Sequence, residues 1–132
     1  MGKYDAVRQK TGWGMPGGSD IRSSASEIDD LIGLTRDTDP KVRKVALANL
    51  CPCHVRADYR QAWDRILAMT DDPDPSVRRT LVHMLADGSP RDRQPEVVEA
   101  LESLRHDSDR HVRRSVNHVL GHYRRTGRIN VL

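Results

Sequence analysis

The most constraining feature of this 132-residue chain is a pattern that recurs every 35 residues, in register and without gaps. An aspartate recurs at Asp37, Asp72 and Asp107, and a second aspartate follows two positions later in each copy. Repeats of this length are typical of stacked arrays, because one unit alone is too small to bury its apolar face. The sequence therefore predicts three stacked units. The other positions that recur in phase are Asp39, Asp74 and Asp109; Val42, Val77 and Val112; Arg43, Arg78 and Arg113; and Leu50, Leu85 and Leu120.

Within each unit the pattern predicts two helices joined by a short acidic turn, and hence an all-α fold. The second aspartate of each turn is a good N-cap, and Pro40 and Pro75 then fall at the first helical position, where no N–H is needed. Apolar residues recur at helical spacing on both helices. The predicted first-helix core positions are Ile28, Leu31, Ile32, Leu34, Trp63, Ile66, Leu67, Met69, Val98, Leu101 and Leu104. The predicted second-helix positions are Val42, Ala46, Leu50, Val77, Leu81, Leu85, Val112, Val116 and Leu120.

The repeats do not cover the whole chain. Residues 12–18 contain four glycines and a proline, which predict that residues 1–23 form an irregular N-terminal arm that is either a cap over the first repeat or mobile. The apolar tail at residues 129–132 is interpreted as either a cap or a docking peptide. The predicted repeats occupy residues 24–54, 55–90 and 91–128.

Three segments of the chain, residues 34–43, 69–78 and 104–113, resemble HEAT repeats, in particular the phycobilisome-lyase-like subgroup. The resemblance extends over roughly residues 26–123. It implies a short right-handed α-solenoid of three HEAT-like helix pairs. It also implies that each turn aspartate and the arginine four residues later have a structural role, forming polar ladders between repeats. The predicted ladder pairs are Asp39 with Arg43, Asp74 with Arg78, and Asp109 with Arg113.

The clearest charge asymmetry is at the C-terminal end, where no acidic residue follows Asp109. The resemblance implies that second helices line the concave face, so basic residues off their buried stripe are candidates for binding. Such a basic face suits phosphates, a nucleic-acid backbone or an acidic protein surface. The alternative interpretation is a solvated helix face. The candidate residues are Lys44, Arg79, His83, Arg110, Arg114, His118, His122 and Arg125.

A separate local motif places Cys51, Cys53 and His54 within four residues. Two thiols and an imidazole are suitable ligands for Zn²⁺, and His83 or another histidine would complete the set. The spacing is not that of an established zinc module, and a cysteine at a helix end is often a small buried apolar residue. A redox or regulatory thiol is the third interpretation. The sequence therefore predicts no cofactor, with zinc as the alternative.

No motif in the chain predicts catalysis: it contains no His-Glu dipeptide, Gly-rich phosphate loop or dinucleotide-binding fingerprint. The first hypothesis is a small HEAT-repeat adaptor that binds a partner protein through its second-helix face or its ends. The second is a nucleic-acid-binding accessory protein, and the third a metal-binding or lyase-like protein. With no apolar run long enough for a signal peptide or a spanning helix, we expect a cytoplasmic protein without membrane contact. Homo-oligomerisation through the terminal repeats stays open.

Overall fold

A computed structural model of the chain describes residues 25–51 and 60–130. These residues form six α-helices and two short 3₁₀ turns, at Met69–Asp71 and Arg91–Arg93, and contain no strand. The predicted all-α fold class is therefore confirmed. The helices are α1 (Ala25–Leu34), α2 (Pro40–Asn49), α3 (Arg60–Ala68), α4 (Pro75–Ala86), α5 (Gln94–Ser103) and α6 (Arg110–Thr126).

The six helices follow one another as three pairs: α1 packs against α2, α5 packs against α6, and in the middle pair the 3₁₀ turn Met69–Asp71 contacts both α3 and α4. The second helices contact one another in order, so that α4 packs between α2 and α6. The first helices form a parallel row in which α3 contacts both α1 and α5. This arrangement is the translational stack that the 35-residue period predicts. The N-terminal arm, residues 1–23, lies outside the described residues.

All three second helices begin in the same way, at the second aspartate of the turn. Asp39, Asp74 and Asp109 have extended backbones, and each carboxylate accepts a hydrogen bond of 2.8–2.9 Å from an amide two or three residues later. Pro40 and Pro75 occupy the first helical position, where their missing N–H leaves no bond unmade. The predicted N-caps are confirmed.

The core follows the predicted apolar stripes and extends beyond them. All of the predicted second-helix positions are buried, and so are most of the first-helix positions. Ile32, Leu34, Leu67 and Val98 are only partly buried, and they pack against the edge of the core. The second helices also bury Val45, Leu47, Val82 and Met84. These residues lie off the single stripe because α2 and α4 contact neighbours on more than one side.

The C-terminal end of the described chain folds back on the array. Helix α6 ends at Thr126 and is followed by Gly127, whose positive φ of 72° provides a left-handed cap. Beyond it, Ile129 is buried, and the Oδ1 atom of Asn130 accepts hydrogen bonds of 2.9 Å from the amides of Gly88 and Ser89. As far as residue 130, the tail therefore packs against the loop that follows α4, and the choice between a cap and a docking peptide stays a prediction.

Arginine–aspartate pairs connect neighbouring repeats along the row of turns. Arg43 donates from Nε and Nη2 to the two carboxylate oxygens of Asp72 at 2.9 and 3.0 Å, and Arg78 donates in the same way to Asp107 at 2.8 and 3.0 Å. Both arginine side chains are 11% exposed, and the aspartates are 5% and 6% exposed. Each pair is therefore a bidentate contact shielded from water, which is the strong form of this interaction.

The structure differs from the predicted ladder in the acceptor of these bonds. Arg43 and Arg78 pair across the repeat boundary with the first aspartate of the next turn, whereas the second aspartate caps its own helix and, at Asp109, also accepts from Arg79. In the third repeat, Arg113 binds the carbonyl oxygens of Asp107 and Ser108. The predicted pairs Asp39–Arg43, Asp74–Arg78 and Asp109–Arg113 are therefore corrected to Arg43–Asp72 and Arg78–Asp107.

Replacement of Asp107 by asparagine tests the contribution of this contact to stability. The amide still accepts from the backbone of its turn, but Arg78 loses its counter-charge in a shielded position. We expect Asp107→Asn to lower the free energy of unfolding by about 3 kcal/mol, measured by urea unfolding. The control Glu102→Gln weakens the exposed Glu102–Arg105 pair and is expected to cost less than about 1 kcal/mol. Equal losses in the two variants would contradict the assignment.

Candidate binding site on the second-helix face

A cleft of about 420 Å³ lies between helices α4 and α6. Its apolar part comes from Val82, Ala86 and Val119, which are all buried. Basic and polar side chains complete its lining, so the cleft combines an apolar floor with a polar rim. The lining residues are Arg79, Val82, His83, Ala86, Arg114, Ser115, His118 and Val119.

The repeat pattern explains why these side chains meet. Residues four apart lie on one face of a helix, one turn from each other, as Arg79 and His83 do on α4. Arg114 and His118 occupy the corresponding positions on α6, 35 residues later. Since α4 and α6 pack side by side, the two rows come together along the cleft.

The structure thus brings together half of the predicted basic face. Arg79, His83, Arg114 and His118 line the cleft. The remaining candidates do not line it and are distributed over the flanking surface: Lys44 on α2 and Arg110, His122 and Arg125 on α6.

Arg79 is not a free cation within this cleft. It donates from Nε and Nη2 to the two oxygens of Asp109 at 3.0 and 2.7 Å. Asp109 also caps α6 by accepting from the amide of Val112. The hydrogen bond from Arg79 and, to a smaller extent, the one from the amide of Val112 hold the pKa of Asp109 well below its usual range. The positive charge of Arg79 is therefore compensated by the helix cap of the next repeat.

Arg114 carries the uncompensated charge of the cleft. Its side chain is exposed, and among the described residues it has no carboxylate partner. His118, one turn further along α6, is also exposed. Across the cleft, the Nε2 atom of His83 lies 3.8 Å from a carboxylate oxygen of Asp87. The rim thus offers one guanidinium and two imidazoles to an anionic group.

The cleft also contains a serine, but the geometry does not assemble a nucleophile. Within the described residues, no hydrogen bond joins Ser115 to His83 or His118. The distance of 3.8 Å between His83 and Asp87 is too long for a hydrogen bond that orients the imidazole. The arrangement therefore fits recognition of a charged group better than covalent chemistry.

The predicted metal motif is described only at its first residue. Cys51 is buried, and its Sγ atom lies 3.8 Å from Oδ2 of Asp87. Cys53 and His54 lie outside the described residues. Residues 25–51 and 60–130 contain no group of three potential ligands arranged to hold a metal ion. Zinc binding stays a hypothesis based on the sequence motif.

A second cleft, of about 400 Å³, lies along the turns between the first and second repeats. Its polar groups already bind one another: Arg43 pairs with Asp72, and Arg65 donates from Nε to the buried hydroxyl of Thr35 at 2.8 Å. Burial, and then the proximity of Arg36, lowers the pKa of Arg65. This cleft is therefore a structural contact. Sequence reasoning missed the Thr35–Arg65 bond, since the third repeat has no arginine at the Arg65 position.

The stacked helix pairs form an α-solenoid. The chain belongs to the HEAT-repeat family: the family model for HEAT repeats matches residues 28–121. The predicted HEAT-like family is thereby confirmed, while the match does not single out the phycobilisome-lyase-like subgroup. HEAT repeats are commonly protein-interaction modules.

No curated protein and no solved structure matches the chain. In the part of the chain that the structure describes, every helix is too short or too polar to cross a membrane.

Three carboxylates along the turns have pKa values below their usual range. For Asp74, the main cause is the hydrogen bond from the hydroxyl of Ser76. For Asp107, burial alone raises the pKa, but the bonds from Arg78 and from the amide of Asp109 outweigh it. Asp109 is held low by Arg79. All three groups are therefore more acidic in the folded chain than in the unfolded chain.

These shifts predict that acid destabilises the fold. A carboxylate with a lowered folded pKa binds fewer protons when folded, so its stabilising contribution is complete above the unfolded pKa of about 4 and is lost as the pH falls toward the folded value. We expect the free energy of unfolding to decline steadily below about pH 4, measured by urea unfolding at a series of pH values. The decline should be shallower in the Asp107→Asn variant. A free energy that stays constant down to pH 2.5 would contradict the prediction.

Proposed function

We propose that this chain is a non-catalytic interaction module that binds an acidic segment of a partner protein across its second-helix face. The observation that carries the proposal is the exposed, uncompensated guanidinium of Arg114 beside the apolar floor of Val82, Ala86 and Val119. An acidic side chain next to an apolar one would satisfy both parts of the cleft. The carboxylate would accept from the guanidinium, and the apolar group would displace water from the floor.

The charge distribution around the cleft favours a protein over a uniform polyanion. On the α4 side, Asp109 neutralises Arg79, and Asp87 lies close to His83. The two walls therefore differ, with basic character concentrated on α6. A surface of mixed charge with one strong anchor is typical of protein–protein interfaces, where arginine is enriched among the residues that contribute most to affinity.

Reversal of the Arg114 charge tests this proposal. We expect Arg114→Glu to reduce the partner recovered with the chain from its native cells by about tenfold or more, since it replaces a charged contact by a repulsive one. Arg91→Glu is the matched control, because Arg91 is exposed and does not line the cleft. Recovery would be measured by quantitative mass spectrometry after nuclease treatment. Equal recovery with the two variants would contradict the proposal.

Nucleic-acid binding is the second candidate, and one observation favours it. Helix α6 contains five arginines, and no acidic residue follows Asp109. Binding to a phosphate backbone releases counterions, so the logarithm of the affinity would fall linearly with the logarithm of the salt concentration, with a slope of about −0.9 per phosphate contacted on duplex DNA. On the protein-partner proposal, we expect no saturable binding of a 20-base-pair duplex at physiological salt. Steep, saturable binding in a fluorescence-anisotropy titration would favour this second candidate.

A further inference from the structure

The arginine of the third repeat has the same internal contacts as its counterpart in the first repeat. The Nη1 atom of Arg113 donates to the carbonyl oxygens of Asp107 and Ser108 at 2.7 and 3.1 Å. Arg43 makes the equivalent contacts with its own turn at 2.9 and 3.1 Å. Each guanidinium is therefore anchored by its own turn before it meets the next repeat.

The difference lies in the other two donors of the guanidinium. In Arg43 and Arg78, Nε and Nη2 bind both oxygens of an aspartate from the following turn. Among the described residues, Nε and Nη2 of Arg113 have no carboxylate partner. Arg113 thus presents an oriented, bidentate donor pair, and orientation in advance lowers the entropy lost on binding.

A second position at the same end of the array also differs from its paired counterpart in the preceding repeat, and here the residue is an acid. Arg93 of the third repeat donates to Asp64 of the second repeat at 2.6 Å. Glu99 on α5 occupies the repeat position of Asp64 and is exposed. At the end of the array, Arg113 therefore offers hydrogen-bond donors and Glu99 offers an acceptor. At the internal boundary, the equivalent residues form ion pairs with the next repeat.

The apolar contact between repeats does not continue to this end. Leu47 and Val82 are buried at the internal boundaries, and the third repeat has the exposed Asn117 at the same position. A polar end face resists permanent stacking of another repeat. It is compatible with a small, reversible contact made mainly by charged groups.

We propose that this end face, formed by Arg113, Asn117 and Glu99, is a docking surface for an aspartate of a partner protein. The aspartate would be presented in a helix-starting turn of the kind that this chain places against Arg43 and Arg78. Its two oxygens would accept from Nε and Nη2 of Arg113. The surface does not include Arg114 or the other cleft residues, so this proposal does not depend on the function proposed for the cleft.

A peptide copied from the chain itself can be used to test this surface. A peptide with the sequence of residues 69–78, with blocked ends, contains the aspartate turn that Arg43 binds. The Nε–Hε resonances of the arginines in the full ¹⁵N-labelled chain would be followed by NMR during titration with this peptide. We expect a saturable shift at Arg113 and none at Arg43 or Arg78, whose donors are already occupied.

The matched control peptide carries Asp72→Asn, which removes one carboxylate and leaves the rest of the sequence unchanged. We expect it to bind about threefold more weakly or worse, as for an exposed ion pair. In the protein, Arg113→Lys keeps the charge but removes the bidentate geometry, and we expect binding to weaken by about threefold as well. Arg124→Lys, on an exposed position of the same helix, should bind as the unmodified chain does.

Several results would overturn the proposal. They are the absence of a shift at Arg113, equal affinity for the two peptides, or shifts of the same size at Arg124 and Arg125, which would indicate charge attraction alone. Self-association that is seen in sedimentation without peptide and abolished by Arg113→Lys would identify a second copy of the chain as the occupant instead. Since the peptide comparison leaves the protein unaltered, it stays decisive even if Arg113→Lys impairs folding. Peptide binding that survives Arg114→Glu would separate this surface from the cleft.

Discussion

The bidentate contact between the arginine of one repeat and the first aspartate of the next is the interaction on which the structure depends. The carboxylates of Asp72 and Asp107 also accept from the amide two residues later, which fixes the turn. Each of these carboxylates therefore fixes both the shape of its own turn and the spacing between two repeats. Because Arg43–Asp72 and Arg78–Asp107 are shielded from solvent, screening by water is small and loss of either partner leaves a costly buried charge.

The candidate binding cleft is a consequence of this spacing. With the turns held at one separation, α4 and α6 lie side by side, and positions four residues apart on each helix face a common cleft. A cross-repeat bond also decides which cation stays available. Arg79 is bound to the cap of α6, whereas Arg114 has no such partner in the described chain. The charge pattern of the surface thus depends on the turn chemistry as well as on composition.

The 35-residue period predicted the features that recur in every repeat. It failed where two residues recur with the same period and the period alone cannot distinguish them. The helix pairs, the caps at Asp39, Asp74 and Asp109, and the apolar stripes all repeat because the same contacts recur at each boundary. The ladder acceptor was assigned to the wrong aspartate, because both turn aspartates recur every 35 residues and only geometry distinguishes them. Contacts made once, such as Thr35 with Arg65, leave no periodic signal. For the site, the repeat phase identified the row of residues, but not the bond that neutralises Arg79.

A double-mutant cycle across Arg43 and Asp72 tests the central claim most directly. The free energy of unfolding would be measured for the unmodified chain, for Arg43→Met, for Asp72→Asn and for the double variant. If the contact joins the repeats as described, the double variant will be more stable than the sum of the single effects predicts, with a coupling of about 1–2 kcal/mol. A coupling of zero would contradict the account, because the two side chains would then contribute independently of each other.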